Sequence, residues 1–324
     1  MRSRSLKAGD WKLRMSVVLI AVSVASGILH SAPQSKQPSD SVTQKGFVTA
    51  ERAADALIQS AATYDVPALL EILGPDARDL IASEDPVEDK NRGVAFAGLA
   101  REKTLVTVDP KNPARATLLV GNADWPLPIP IVKRGSRWYF DSKAGRQEIL
   151  FRRIGGNELD AIRICRGFVE AQRQYASEKH DGSQVNQFAQ RIISTPGKHD
   201  GLAWQNADGT WSGPVGEVIA KALEQGYTAN SKPFHGYYFK VLKGQGPAAP
   251  LGKLDFMVKD MMIGGFALAA APAQYRVTGV KTFIVSHDGI VYQRDLGPDT
   301  LTAFKIMELY NPDKTWKRTD DEEE

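Results

Sequence analysis

The triplet His-Asp-Gly occurs three times in this chain, at His180–Gly182, His199–Gly201 and His287–Gly289. Imidazole beside carboxylate is the pairing that serves acid–base work near neutral pH and metal ligation. Converging loops would make such triplets a metal site or a His–Asp dyad. The spacing favours a plainer reading. Residues adjacent in sequence rarely point at one centre, and neither H-x-x-x-H nor H-E-x-x-H occurs. Asp-Gly is also turn chemistry in its own right. The triplets therefore read as three turns that each follow a His, and no metal, cofactor or catalytic residue is expected.

His235 opens a strand beside Phe234, Tyr237 and Tyr238, where it lines a pocket with Trp204 or is a hydrogen-bonded structural histidine. The candidate binding set is His199, Asp200, Trp204, His235 and Tyr237. An enzyme built there needs His199, Asp200, Trp204 and His235 within about 12 Å, because hydrogen bonds and single bridging waters reach no further. No G-x-S-x-G, P-loop or G-x-G-x-x-G is present. Glu84/Asp85 and Glu88/Asp89 fall at helix starts, where the helix dipole favours carboxylates. Gly264-Gly265 lies in an apolar run and reads as a bulge or a close backbone approach. Cys165 is the single cysteine, so no internal disulfide forms, and its apolar neighbours predict a buried structural thiol.

The elements that must carry these residues fall into an α+β pattern of two domains, at 47–154 and 157–317. In the first, Thr49 caps a helix with Ala53, Ala54, Leu57, Ile58 and Ala61 at helical spacing. Asp65 starts a second helix, which Gly74-Pro75 stops. A short helix at 77–82 follows, and Asp85-Pro86 begins another. The period then changes to two, with strands at Thr104–Val108, Ala116–Val120, Ile129–Lys133 and Trp138–Asp141 and a hairpin turn at Gly135-Ser136. Trp125 and the alternating prolines after it read as an edge segment that limits pairing.

A helix at Ala144–Arg153 is expected to break at Gly155-Gly156, the domain boundary. Asn157 then caps a long amphipathic helix over Glu158–Ser177. The stretch 178–212 reads as loops with one helical turn near Phe188–Ile192, and a helix starts at Ser212-Gly213-Pro214 and ends at Gly226. Short apolar runs alternate with turn residues from Phe234 to Gly297, an antiparallel meander, with Asp288-Gly289 at one hairpin. The final helix presents Leu301, Phe304, Ile306 and Leu309, and Asn311-Pro312 ends it.

The N-terminus gives an address. Arg2, Arg4, Lys7, Lys12 and Arg14 precede the apolar run Met15–Leu29, a signal-peptide pattern over residues 1–32. Val24-Ala25-Ser26 offers small residues for cleavage. An uncleaved anchor is the alternative, and the only membrane attachment expected. Residues 33–46 read as a flexible linker and 318–324 as an acidic tail. The formal charge of +3 rests on 41 basic and 38 acidic residues. Residues 1–26 contain five basic and one acidic residue, so the remainder has 36 against 37, a net of about −1. The basic pI therefore belongs to the leader and gives no argument for nucleic-acid binding.

Two folds and one family resemble parts of this chain. The element order of the first domain, with P-I-P-I-V-K-R-G-S-R-W-Y-F-D, resembles the cystatin-like cone shared with nuclear transport factor 2. Q-R-Q-Y-A-S at a helix end, with G-Y-Y-F-K-V, A-P-A-Q-Y-R-V-T-G-V-K-T-F and S-H-D-G-I-V, resembles type IV pilin and pseudopilin heads. Pilins polymerise through an apolar N-terminal helix, whereas the matching helix here is internal, so a filament subunit is not expected. W-P-L-P-I-P at Trp125–Pro130, S-T-P-G-K-H-D-G-L-A-W at Ser194–Trp204, H-G-Y-Y-F at His235–Phe239, G-G-F-A-L at Gly264–Leu268 and Y-Q-R-D-L-G at Tyr292–Gly297 resemble the bacterial domain-of-unknown-function family 2950 over residues 47–316. That resemblance implies an exported bacterial protein and supplies no catalytic residue. Its members favour an acidic D-x-D-G-D-G-like loop where this chain has Lys179–Gln184, with Asp181 the one carboxylate, so a calcium site is not expected.

The expectation is a periplasmic or secreted, non-enzymatic binding or assembly module whose partner is an envelope protein or a small ligand. The alternative is a periplasmic enzyme with a pocket around His199, Trp204 and His235.

Overall fold

The computed structural model describes residues 43–82, 86–216 and 233–319. The expected signal peptide, most of the linker, the Asp85 cap, the helix to Gly226 beyond Gly216 and the acidic residues after Thr319 lie outside the described residues. The chain is a mixed α+β protein that divides into two compact units, one ending at Phe151 and the other starting at Arg152.

In the first unit, helix α1 spans Ala50–Thr63. Thr49 caps it from extended backbone, its hydroxyl accepting the Arg52 N–H at 3.2 Å, and left-handed Tyr64 ends it. Ala53, Ala54, Leu57 and Ala61 are buried along one face, while Ile58 packs at its margin. Helix α2 (Val66–Leu73) starts at Asp65, whose carboxylate accepts the Ala68 N–H at 3.1 Å. Helix α3 covers Arg78–Ile81 and helix α4 Pro86–Glu102. The small residues on α1 let α4 come close, since a Cβ on Gly93 would stand 3.0 Å from the Ala61 carbonyl oxygen.

The sheet of this unit contains β1 (Thr104–Asp109), β2 (Asn112–Val120), β3 (Trp125–Pro126), β4 (Ile131–Arg134) and β5 (Arg137–Phe140). It is antiparallel in the order β1-β2-β4-β5, with β3 paired to the end of β2. Gly135-Ser136 makes the two-residue turn between β4 and β5, with Arg134 opposite Arg137 and Gly135 at φ 62°. Only the second half of β2 alternates into the core, through Ala116, Leu118 and Val120.

Helix α5 (Ser142–Tyr175) runs unbroken through Gly155-Gly156, which corrects the expected break there. Glycine weakens a helix by about 1 kcal/mol per residue, and the long flanking turns on both sides outweigh that cost. Ile149 of α5 belongs to the first core, and Cys165, Phe168, Val169 and Tyr175 belong to the second. Cys165 is fully buried. Burial, slightly opposed by Arg166, pushes its thiol pKa up to about 12.

After α5 come β6 (Arg191–Ile193), β7 (Gly201–Gln205) and β8 (Trp211–Ser212), with β6 parallel and β8 antiparallel to β7. The helical turn expected at Phe188–Ile192 is thus extended chain. A short apolar run fits either period, and here the Phe188 N–H reaches the Met262 carbonyl at 2.7 Å while Arg191 and Ile193 pair with β7.

The remaining strands are β9 (Tyr237–Leu242), β10 (Gly244–Gln245), β11 (Leu254–Asp255), β12 (Met257–Val258), β13 (Met261–Met262), β14 (Ala267–Pro272), β15 (Lys281–Ser286), β16 (Val291–Asp295) and β17 (Lys317–Arg318). The large sheet is antiparallel in the order β17-β16-β15-β14-β9. All six residues of β14 are buried. Phe168 and Phe266 meet edge to face at 5.7 Å, joining α5 to the sheet's core. Gly264-Gly265 is a close approach, because a Cβ on Gly264 would meet the Asp255 carbonyl at 2.6 Å.

Helix α6 (Thr300–Ile306) buries Phe304 and stops well short of Asn311-Pro312. Ile306 and Leu309 are exposed instead of packed. The competing interaction is a bridge in which the Tyr310 N–H bonds Gly244 O at 3.0 Å and Gly246 N–H bonds Tyr310 O at 2.8 Å, burying Tyr310.

Candidate functional site

Two of the three His-Asp-Gly triplets converge in the second unit. The end of α5 presents Tyr175, and the turn after it brings His180 back so that its ring stacks on Tyr175 at 3.9 Å. The His180 Nε2 bonds the Tyr175 carbonyl at 2.9 Å. Asp181 follows with φ 51°, a left-handed position that Asp tolerates. Its carboxylate does not serve its own neighbour. It accepts the backbone N–H of His199 at 2.7 Å and meets the His199 Nδ1 at 3.0 Å. The Tyr175 hydroxyl closes the group by donating to the His199 carbonyl. Burial, then Asp181 and Asp200, raises the Tyr175 pKa, so the phenol stays a donor.

Trp204 on β7 joins both triplets, with ring centroids 4.8 Å from His199 and 5.7 Å from His180. An Nδ1–H donated to Asp181 leaves the His199 Nε2 as the basic position on a side chain about half exposed. That pair can hold a proton or accept one from a bound hydroxyl.

Asp200 is committed to its own loop. It accepts the Thr195 N–H at 2.7 Å and the Thr195 hydroxyl at 2.8 Å, and Arg191 lies 3.8 Å away. Burial works to raise its pKa, but these donors outweigh it and leave the carboxyl below the usual range. The third triplet is separate. His287 faces Phe256 and Phe266, and Asp288 accepts the Ser286 hydroxyl and the Ile290 N–H within its turn.

His235 makes a different set of contacts. Its Nδ1 lies 2.7 Å from Oδ2 of Asp160 on α5, and the other oxygen of that carboxylate takes Arg163. Asp160 is buried, so one carboxylate joins His235 to the helix. Tyr237 is buried as well, and its hydroxyl donates to the Lys281 carbonyl at 2.9 Å. Of the five candidate residues, His199 and Trp204 touch, Asp200 braces the loop beside them, and His235 and Tyr237 bond other partners. Among the described residues, no three His, Cys, Asp or Glu are placed to hold a metal ion.

The first unit contains a feature that pattern reading missed, a cavity of about 120 Å³ among α1, α2, α4 and the segment after β3. Leu57, Leu69, Phe96, Trp125, Leu127 and Ile129 form much of its apolar wall. Its polar edge is Tyr64, Asp79, Asp89 and Arg92. The Tyr64 hydroxyl donates to Ile81 O at 3.1 Å, and burial, then Asp89, raises its pKa against the opposing Arg92. Arg146 grips Asp79 with two nitrogens at 2.7 and 2.8 Å, which holds that carboxyl below its ordinary range. In the sequence these residues read as ordinary core, and a void between elements has no periodic signature. Trp125 and its prolines were the nearest signal, because a fixed extended segment keeps Leu127 and Ile129 facing the helices.

Residues 44–319 match the family described as "Protein of unknown function (DUF2950)", and the chain belongs to that family. No curated protein and no solved structure matches the chain. The cone and pilin-head likenesses find no support in these comparisons.

Proposed function

We propose that this member of the DUF2950 family is an exported, non-enzymatic binding module whose first unit takes a small apolar ligand. The cavity bounded by Leu57, Leu69, Phe96, Leu127 and Ile129 is the observation that carries this reading. Binding sites for small molecules are concave and mostly apolar, with a few polar groups that fix orientation. Here Tyr64 and Arg92 are those groups. A dry apolar cavity of about 150 Å³ holds benzene, so the present space suits a ring or a short branched chain of that size. The leader pattern at residues 1–32 supports export to the periplasm or beyond.

A panel of small aromatic and branched aliphatic compounds, read by thermal shift, tests the binding. Compounds of benzene size should raise the melting temperature of the wild type and leave Ala61→Phe, which fills the cavity, unmoved. Equal shifts in both proteins, or none in either, would sink the reading. Cell fractionation with N-terminal sequencing tests export, for which an intact Met1 on cytoplasmic protein is the contrary result.

The Asp181–His199 pair beside Trp204 favours a second reading, the periplasmic enzyme. His235 bonds Asp160, and neither described cavity is lined by His199, Trp204 or His235, so the binding reading has more support. Turnover of any substrate by the wild type that His199→Ala abolishes, with its fold intact, would reverse that order.

A further inference from the structure

The sheet of the first unit ends in two unlike edges. At one, β5 is closed by Phe47, which exchanges backbone hydrogen bonds of 2.8 Å with Trp138. At the other, among the described residues, β1 pairs with β2 alone. Its residues Thr104–Val108 read T-L-V-T-V, with neither a charge nor a proline. Natural edge strands are blunted by such residues, because a bare edge recruits further strands. Leu105 is 44% and Val108 48% exposed, and the strand period puts them on opposite faces.

The hydrogen-bond pattern determines which backbone groups this edge offers. The Gly121 N–H bonds Lys103 O at 2.9 Å, so the bonded pairs between β1 and β2 fall at Lys103, Leu105 and Thr107. The far side of β2 agrees. There the Leu127 N–H takes Leu118 O at 2.8 Å, and Leu118 stands opposite Val106. Thr104, Val106 and Val108 therefore turn both their N–H and their C=O outward.

We propose that β1 is a self-association edge whose occupant is β1 of a second copy of this chain, antiparallel about a two-fold axis at Val106. Such an interface uses the same patch on both copies and closes on itself. Val106 then exchanges two hydrogen bonds with Val106 of the second copy, and Thr104 does the same with its Val108. The sequence selects this register. An axis at Val108 would set Val106 against Pro110, which has no N–H. An axis at Thr104 would set Val106 against Glu102, which belongs to α4. The axis at Val106 places Lys103 opposite Asp109 of the second copy, so no like charges meet, and Lys103 also holds Asp124. Leu105 comes to lie beside Thr107 of the second copy. The proposal is independent of the cavity among the helices.

The test uses the full chain. Sedimentation velocity should show a dimer that forms with rising concentration. Val106→Pro removes both central donors without taking a bond from the chain's own sheet, and should weaken the dimer about tenfold or more. Cysteines then check the register. Facing residues of a bonded pair have Cα atoms about 5.5 Å apart, within disulfide reach, so Val106→Cys should cross-link to itself under mild oxidation. Thr104→Cys should cross-link with Val108→Cys when the two are mixed. Neither should link to itself, because like residues there are offset by about 13 Å along the strand. The buried Cys165 stays out of the reaction. Should Val106→Pro unfold the chain, the cysteine arm decides alone. A chain that stays monomeric, a dimer in which Val106→Cys does not cross-link, or a β1 that pairs only with a strand of another protein would overturn the proposal.

Discussion

The two units treat their interiors differently. In the second, β14 is buried at every residue, and Phe168, Phe256, Phe266 and Phe283 fill the layers beside it. In the first, most of β1 and the first half of β2 face solvent, and a partly open, mostly apolar pocket lies among the helices. Protein interiors pack like organic crystals. A void lined by leucine, isoleucine and phenylalanine forgoes contacts that a slightly larger side chain would restore. One chain therefore contains a core packed around a fully buried strand and, separately, a core whose helices leave an apolar pocket. The solid core supports polar work at its surface, in the Asp160 node and the Asp181–His199 pair. The hollow one is suited to holding a ligand.

The largest expected effect strikes the solid core. Asp160→Ala removes the one carboxylate shared by His235 and Arg163. Hydrogen bonds to charged groups contribute about 1.5–3 kcal/mol, so urea unfolding should show a loss of about 2–3 kcal/mol. A loss below half that figure would mean that the node is incidental to the second unit.

The next change strikes the hollow core with the opposite sign. Ala61→Leu adds methyl and methylene groups to the cavity wall, where burial gives about 0.8 kcal/mol per carbon. A gain of about 1 kcal/mol is expected after some crowding. A loss of stability would show that the cavity has no room, and the contrast between the units would fall.

Gly155→Ala sharpens the comparison from the helix that both cores use. A Cβ at Gly155 meets nothing within 4 Å, and alanine is favoured over glycine inside a helix by about 1 kcal/mol. Chemical denaturation should show a gain of about 0.5–1 kcal/mol. A destabilised variant would mean that α5 bends at the glycine pair after all.

The smallest effect concerns acid. Arg146 depresses the Asp79 pKa in the folded chain. A depressed carboxyl contributes stability that is fully present above its unfolded value and fades as pH falls through its folded value. The contribution of this pair should therefore fade only below the ordinary value of 3.8. Because Asp79 and Arg146 are partly exposed, it is a fraction of a kcal/mol. Thermal melts from pH 5 to pH 2 should show a shallower slope in Asp79→Asn than in the wild type. Equal slopes would remove Asp79 from the acid response.

The α+β class, the helices capped by Thr49 and Asp65 and the hairpin at Gly135-Ser136 were legible because caps, breakers and period are local. The errors arose where a distant partner decided the conformation. Phe188 is extended because Met262 offers a carbonyl, and α6 ends early because Tyr310 is drawn to Gly244. Gly155-Gly156 looked like a break because propensity acts as a weak prior that a long helix overrides. At the candidate site, the repeated triplet was legible, but its use was not. Asp181 serves His199 from the other triplet, a pairing that only the fold creates. The cavity left no trace beyond Trp125 and its prolines.

Crystals held under xenon pressure would test the central claim most directly. Xenon enters dry apolar cavities and scatters strongly. The account predicts an ordered xenon atom among Leu57, Leu69, Phe96, Leu127 and Ile129 in the first unit, and none in that place in Ala61→Phe. Xenon absent from that cavity in the wild type, or a chain of ordered waters filling it, would contradict the claim that the first unit offers a site for a small apolar ligand.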